Sequence, residues 1–107
     1  MDLILKHVVR VDDIVLDVGC GDGKILAAIK KKVILKDAIG LDSSDVALAQ
    51  AKNKGLSIIK GSISNLSAVP SADVVMFLET LEHIPNSEEL LQWAINHTKR
   101  TVVFSVP

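Results

Sequence analysis

The chain has 107 residues, 49% hydrophobic and 23% charged, the composition of one globular domain with a core of its own (residues 1–107). Twelve Lys and Arg against 13 Asp and Glu leave a net charge of −1, so no global basic field draws in nucleic acid, and Phe77, Trp93 and Phe104 are few aromatic platforms for a single-strand binder. Cys20 is the lone cysteine, no apolar run nears the roughly 18 residues of a membrane span, and Met1-Asp2 opens no signal-peptide pattern, which together exclude a disulfide scaffold and a membrane protein and point to the cytoplasm.

The elements alternate. Ile14–Val18 (IVLDV) is continuously apolar apart from one acid, as in a strand covered on both faces. Asp22 can cap the following helix, whose inward face is predicted from Ile25, Leu26, Ile29 and Val33, with Lys30, Lys31 and Lys32 at its negative end. Ala38–Asp42 (AIGLD) reads as a second strand. Ser43 or Ser44 then starts a helix with Val46, Ala47, Ala49 and Gln50, ending at Gly55. Leu56–Lys60 is a third strand, and the Ser-rich segment 61–72 with Pro70 reads as loop. Asp73–Leu78 (DVVMFL) is a fourth, buried strand. Asn86 and Glu89 have capping-box spacing before a helix using Leu90, Leu91, Ala94 and Ile95, and Thr101–Val106 is a fifth strand. This alternation predicts an α/β fold: a parallel sheet, helices on both faces, and ligand binding beyond the carboxyl ends of the strands.

The chemistry-bearing residues follow the strands. Asp17-Val18-Gly19-Cys20-Gly21-Asp22-Gly23 closes the first strand and opens a helix. Its G-x-G-x-G spacing is neither the dinucleotide fingerprint nor a P-loop. Asp17 and Asp22 flank the glycines, a poor setting for a pyrophosphate and a good one for a ligand bearing an ammonium group. Asp42 ends the second strand nineteen positions beyond Gly23, where a carboxylate can accept from the two hydroxyls of a ribose. A nucleoside with a cationic tail and no phosphate is S-adenosylmethionine.

VLDVGCGDGKIL (15–26) resembles the first motif of the class I S-adenosylmethionine-dependent methyltransferases, and IGLDSSDVALAQAK (39–52) is similar to their second. DVVMFLETLEHIPN (73–86) resembles the fourth-strand motif of the small-molecule branch found in ubiquinone and menaquinone pathways. The resemblance implies a Rossmann-like doubly wound sheet of about five parallel strands in the order 3-2-1-4-5, without the family's usual last two. It implies a donor, S-adenosylmethionine, a product, S-adenosylhomocysteine, and a small-molecule methyl acceptor. By position, Asp17 holds the methionine amino group, and Gly19 and Gly21 let the methionine moiety lie against the backbone. Asp42 takes the ribose hydroxyls and Ser43 the adenine edge. Ser62 stands where the family often has an Asp toward the adenine amino group, Ile63 packs on the adenine face, and Leu78 offers its carbonyl to the cofactor's amino group.

Glu79, Glu82 and His83 follow the fourth strand, where the acceptor pocket is expected. Three readings compete: a solvated turn, His83 as a general base, and a divalent-metal site made of all three side chains. The spacing resembles the metal motif of small-RNA 2′-O-methyltransferases, but those enzymes use a further His beyond the fifth strand, so no metal is assigned. His7 and His97 are expected at the surface, and Cys20 as a packing residue. An exposed fifth strand predicts a homodimer. The missing strands and Ser62 keep a second function open, a non-catalytic module that binds the cofactor and acts through a partner.

Overall fold

The computed structural model describes residues 8–61, 69, 71–78 and 87–104. Their elements run β1 (Ile14–Val18), α1 (Lys24–Lys32), β2 (Asp37–Asp42), α2 (Asp45–Asn53), β3 (Ser57–Lys60), β4 (Ala72–Phe77), α3 (Ser87–His97) and β5 (Thr98–Phe104). The strands form one parallel sheet in the order β3-β2-β1-β4-β5, as expected from the sequence. The sheet turns back on itself between β1 and β4, whose pairing ends at Asp17 opposite Met76, while β1 continues beside β2 to Val18 opposite Leu41. The crevice where two neighbouring strands send their chains to opposite sides is where this architecture binds ligands.

Strand periodicity divides the core into two layers. Val15, Ala38, Val74 and Met76 face Leu26 and Ile29 of α1 and Ala51 of α2. Leu16, Val18, Ile39, Leu41, Val75 and Phe77 face Leu90 and Ala94 of α3. The sheet is therefore covered on both sides, and each fully buried aliphatic side chain stabilises it by roughly 1.5–3 kcal/mol.

Several local expectations are corrected. Val46 is 71% exposed, and Ala49 and Gln50 are exposed too; the buried face of α2 is Leu48 and Ala51. The pair is three positions apart, which places both on one side of the helix, whereas Val46 lies two positions from Leu48 and points away. Ile25 and Ile95 are likewise exposed. Ser44, not Ser43, is the N-cap of α2, its side chain accepting from Ala47 N at 3.2 Å. At α1 the N-cap is Gly23, and Asp22 Oδ1 accepts from Lys24 N at 3.1 Å. β5 begins at Thr98, three residues before the apolar run, because Ala72 pairs with Thr98 ahead of a register irregularity between Ala72 and Val74. His97 is half-buried and stacks on Trp93 with ring centroids 4.8 Å apart, not free at the surface.

At the amino ends of the strands, Arg100 on β5 reaches back to the start of β1. Its guanidinium donates to Asp13 Oδ1 at 2.8 Å, to Asp13 Oδ2, and to the Val8 carbonyl at 2.6 Å. Asp13 also accepts from the Arg10 amide at 2.7 Å, and Arg100 holds its carboxyl below the usual carboxylate range. Asp73 Oδ2 accepts the Ile14 amide at 2.7 Å. These acids therefore fasten the end of the sheet opposite the glycine turn.

Candidate cofactor site

The glycine turn leaves β1 and lies across the end of β2. The Gly19 and Cys20 amides both donate to the Leu41 carbonyl, at 2.7 and 3.1 Å. Gly19, Gly21 and Gly23 have φ of 74°, 57° and 80°, the left-handed region that glycine enters without steric cost. The three positions serve different ends. A Cβ on Gly21 would meet nothing within 4 Å, so its backbone faces open space. A Cβ on Gly23 would meet Leu56 Cδ1 at 2.5 Å and Ala51 Cβ at 3.0 Å, so this glycine lets α1 start against the last turn of α2.

Asp42 draws the elements together. Its Oδ2 accepts the Gly21 amide and its Oδ1 the Ser44 amide, each at 2.9 Å, and its carbonyl accepts the Gly61 amide at 3.2 Å. A carboxylate has about four lone-pair positions. Two are taken, which orients the group and leaves acceptor capacity for two further donors.

Asp17 is different in kind. It is 4% exposed, no hydrogen bond acts on its carboxyl among the described residues, and neither oxygen is sealed from solvent without a partner. It points to the same face of the sheet as Val15, beside Gly40 on β2 and Met76 on β4. Burial, and next to it the Asp42 charge, push its carboxyl up to about 7. A buried carboxyl without a donor keeps its proton or pairs with a cation.

Gly40 adds a packing position beside the site that the motif spacing does not mark, though a glycine inside a strand signals close approach. A Cβ there would meet Cys20 Sγ at 2.6 Å. The sulfur therefore occupies the space over Gly40, and burial first, then Asp17 and Asp42, push the thiol up to about 12. Cys20 packs the turn, and a thiol so disfavoured from ionising is a poor nucleophile.

Asp17, Gly19, Gly21, Asp42 and Ser43 are thus brought together where β1 and β2 end, with Ser43 exposed, and Leu78 follows the end of neighbouring β4. Ser62, Ile63, Glu79, Glu82 and His83 lie outside the described residues. Among the described residues no group of three His, Cys, Asp or Glu could hold a metal ion, and no helix is long and apolar enough to cross a membrane. A groove of about 350 Å³ lined by Lys24, Ala27, Ala28, Lys31 and Lys54 includes none of these site residues.

A family model described as a methyltransferase domain matches residues 15–101, from β1 into β5. The chain belongs to the class I S-adenosylmethionine-dependent methyltransferases. This methyltransferase chain is 38% identical over 77 residues to a protein-lysine N-methyltransferase of Saccharolobus islandicus, a match covering 64% of it and 48% of the relative. It is 36% identical over 90 residues to a ubiquinone biosynthesis O-methyltransferase of Rickettsia canadensis, covering 79% of it and 38% of the relative. Among solved structures, the plantazolicin methyltransferase BpumL, in complex with a triazolic desmethylPZN analog and SAH, matches with a TM-score of 0.72 and 31% identity, over 80% of this chain and 34% of that one. The methyltransferase chain spans less than half the length of each of these proteins.

Proposed function

We propose that the chain binds S-adenosylmethionine across the ends of β1 and β2 and serves an enzyme that methylates a small-molecule acceptor. The observation that carries the reading is the pair of carboxylates around an open glycine backbone. Asp17 is buried with no hydrogen-bond donor among the described residues, Asp42 is held by two amides with acceptor capacity left, and Gly21 faces free space. A cationic amino-acid tail, a ribose diol and the absence of phosphate fit this pair of acceptors.

When bound, S-adenosylmethionine supplies a methyl carbon already activated by its sulfonium. The chain's own contribution is then alignment. Asp17 holds the ammonium end, and Gly19 and Gly21 admit it to the backbone. Asp42, fixed by the Gly21 and Ser44 amides, accepts from the ribose hydroxyls without having to reorganise. Ser43, Ser62 and Ile63 attend the adenine, and the Leu78 carbonyl the amino group. On the acceptor side, His83 takes the proton released from an oxygen or nitrogen acceptor. That role rests on its place in the sequence after β4, and His83→Ala should abolish turnover while cofactor affinity stays.

A small-molecule acceptor is supported by the similarity to the ubiquinone biosynthesis enzyme, whose name places it on the route to a quinone. A lysine side chain is the second reading, favoured by the 38% identity to the protein-lysine enzyme. β5 closes one edge of the described sheet, and Phe104 on it is 52% exposed, which supports self-association through that edge. A monomeric mass by light scattering at high micromolar concentration would remove it.

Isothermal titration calorimetry with S-adenosylmethionine tests the core of the reading, with Asp42→Ala as control. Micromolar binding that the variant loses supports it. No binding at millimolar cofactor sinks it and leaves the motifs as scaffold.

A further inference from the structure

The surroundings of Asp17 decide its state before a ligand arrives. The residue is 4% exposed, and its carboxylate makes no hydrogen bond among the described residues. The groups around it can be taken element by element. From β2 comes Asp42, and Gly40 brings no side chain. From the turn comes the Cys20 thiol, seated over Gly40 and neutral. β4 brings Met76, and α1 and α2 bring the apolar Leu26, Ile29 and Ala51 to the same face. Among the described residues no cation acts on Asp17, and the one charged group that does is another acid.

The two carboxylates are not equivalent. Asp42 has an amide proton on each oxygen. Asp17 has none among the described residues. Burial first, and next the neighbouring Asp42 carboxylate, therefore disfavour the charge on Asp17.

Given a site that takes S-adenosylmethionine, the reading on which this inference rests, we propose that it exchanges a proton for its cation: Asp17 is neutral in the ligand-free protein and ionises when the ammonium group of the ligand enters. The balance is simple. The O–H bond of the Asp17 carboxyl breaks, its proton passes to solvent, and the carboxylate is neutralised by the ligand's ammonium, which keeps all its protons. The release of that proton makes binding pH-dependent. Affinity falls by up to about tenfold per pH unit on the acid side of the transition and levels off on the alkaline side. The elevated Asp17 value places the transition near neutrality. The device also selects ligands, since a nucleoside without the ammonium has nothing to offer a buried anion and meets a neutral acid.

Calorimetry at pH 6 in two buffers of different ionisation enthalpy, phosphate and imidazole, counts the protons. S-Adenosylmethionine and S-adenosylhomocysteine, which share the ammonium, should each release most of one proton. 5′-Methylthioadenosine, which lacks it, should release none. At pH 8.5 the release should be gone for all three, and the two ammonium ligands should instead take up part of a proton, because an α-amino group begins to lose its own there. The Asp17→Asn protein should bind the first two more weakly and release no proton. Infrared difference spectra of the unmodified protein give a readout that needs no variant: a protonated-carboxyl band lost on adding S-adenosylhomocysteine. Binding at pH 8.5 with no buffer dependence at pH 6 overturns the proposal and leaves the cofactor reading standing. So does a release that persists in Asp17→Asn or appears with 5′-methylthioadenosine. No binding at either pH overturns the cofactor reading, and the proposal with it.

Discussion

Asp42 and Gly21 meet through a single hydrogen bond of 2.9 Å, the Asp42 Oδ2 accepting the Gly21 amide proton. The bond ties the turn after β1 to the end of β2, and the other oxygen ties the same residue to the start of α2 at Ser44. Asp42→Ala should therefore loosen two elements at once. Both amides lose an acceptor in a partly exposed setting, at a cost of about 1–2 kcal/mol. Thermal melting should show a drop of roughly 4–15 °C for a domain of this size. Saturating S-adenosylmethionine should raise the melting point of the parent and not that of the variant. A variant that melts with the parent would mean the turn holds its shape without this bond.

Asp17 sets a pH dependence whose sign follows from its direction. The carboxyl has an ordinary value of 3.8 and is raised to about 7 in the fold. Between those values the folded chain holds the extra proton, so this contribution is whole below the lower value and is lost as pH rises through the upper one. The loss reaches at most about 4 kcal/mol. Asp17→Asn removes it. The variant's melting point should exceed the parent's by a margin that widens from about pH 4 to about pH 8. A margin that is constant with pH would show that Asp17 ionises as freely in the fold as in the unfolded chain.

The glycines of the turn separate a folding role from a binding role. Gly23→Ala must accept φ of 80° and a Cβ at 2.5 Å from Leu56 Cδ1. The left-handed backbone and the overpacking together should cost about 2–4 kcal/mol. Gly21→Ala meets no atom within 4 Å, so its cost is the backbone alone, about 1 kcal/mol. Urea melts should rank the two in that order. Cofactor titration should rank Gly21→Ala as the more damaging once each folded fraction is allowed for, because its added methyl group fills the space the ligand needs. Equal loss of binding in both would place the ligand elsewhere.

Arg100 and Asp13 hold the far end of the sheet. Arg100→Met leaves Asp13, 5% exposed, with the Arg10 amide as its remaining partner among the described residues. The expected loss is about 2–4 kcal/mol, well above that of a surface charge. Asp13 is held below its ordinary value, so the pair's contribution is present above that value and is lost as pH falls through the lowered one. The parent and Arg100→Met should accordingly converge in strongly acid solution. Cofactor affinity should change little, since this clamp lies at the opposite ends of the strands from the glycine turn. A variant as stable as the parent would reduce the pair to a surface contact.

Much of this protein is legible along the chain. Ile14–Val18 can be read to its boundaries because an apolar run ended by a glycine turn is a local signal, complete within a few residues. The same holds for the parallel sheet, the left-handed Gly55 after α2, and the placing of Asp17, Gly21 and Asp42 at strand ends. Motif spacing carries the family, which the match over residues 15–101 bears out. The inward face of α2 is carried by Leu48 and Ala51 and not by Val46, Ala49 and Gln50, because the helix packs on the side where Ala51 meets Gly23, a contact distant along the chain. The start of β5 is hidden, because Lys99 and Arg100 look like loop, while a sheet edge tolerates them.

The order of elements and the side chains that stand at the strand ends follow from the chain read locally, since propensity, periodicity and turn chemistry act over a few residues. How those side chains are held follows from packing across the fold. Asp17 and Asp42 are both aspartates at the end of a strand. One is held by two amides, and the other is buried beside it with none among the described residues. That difference comes from groups distant along the chain, and the energy of a charge depends on everything packed around it, not on its neighbours in sequence.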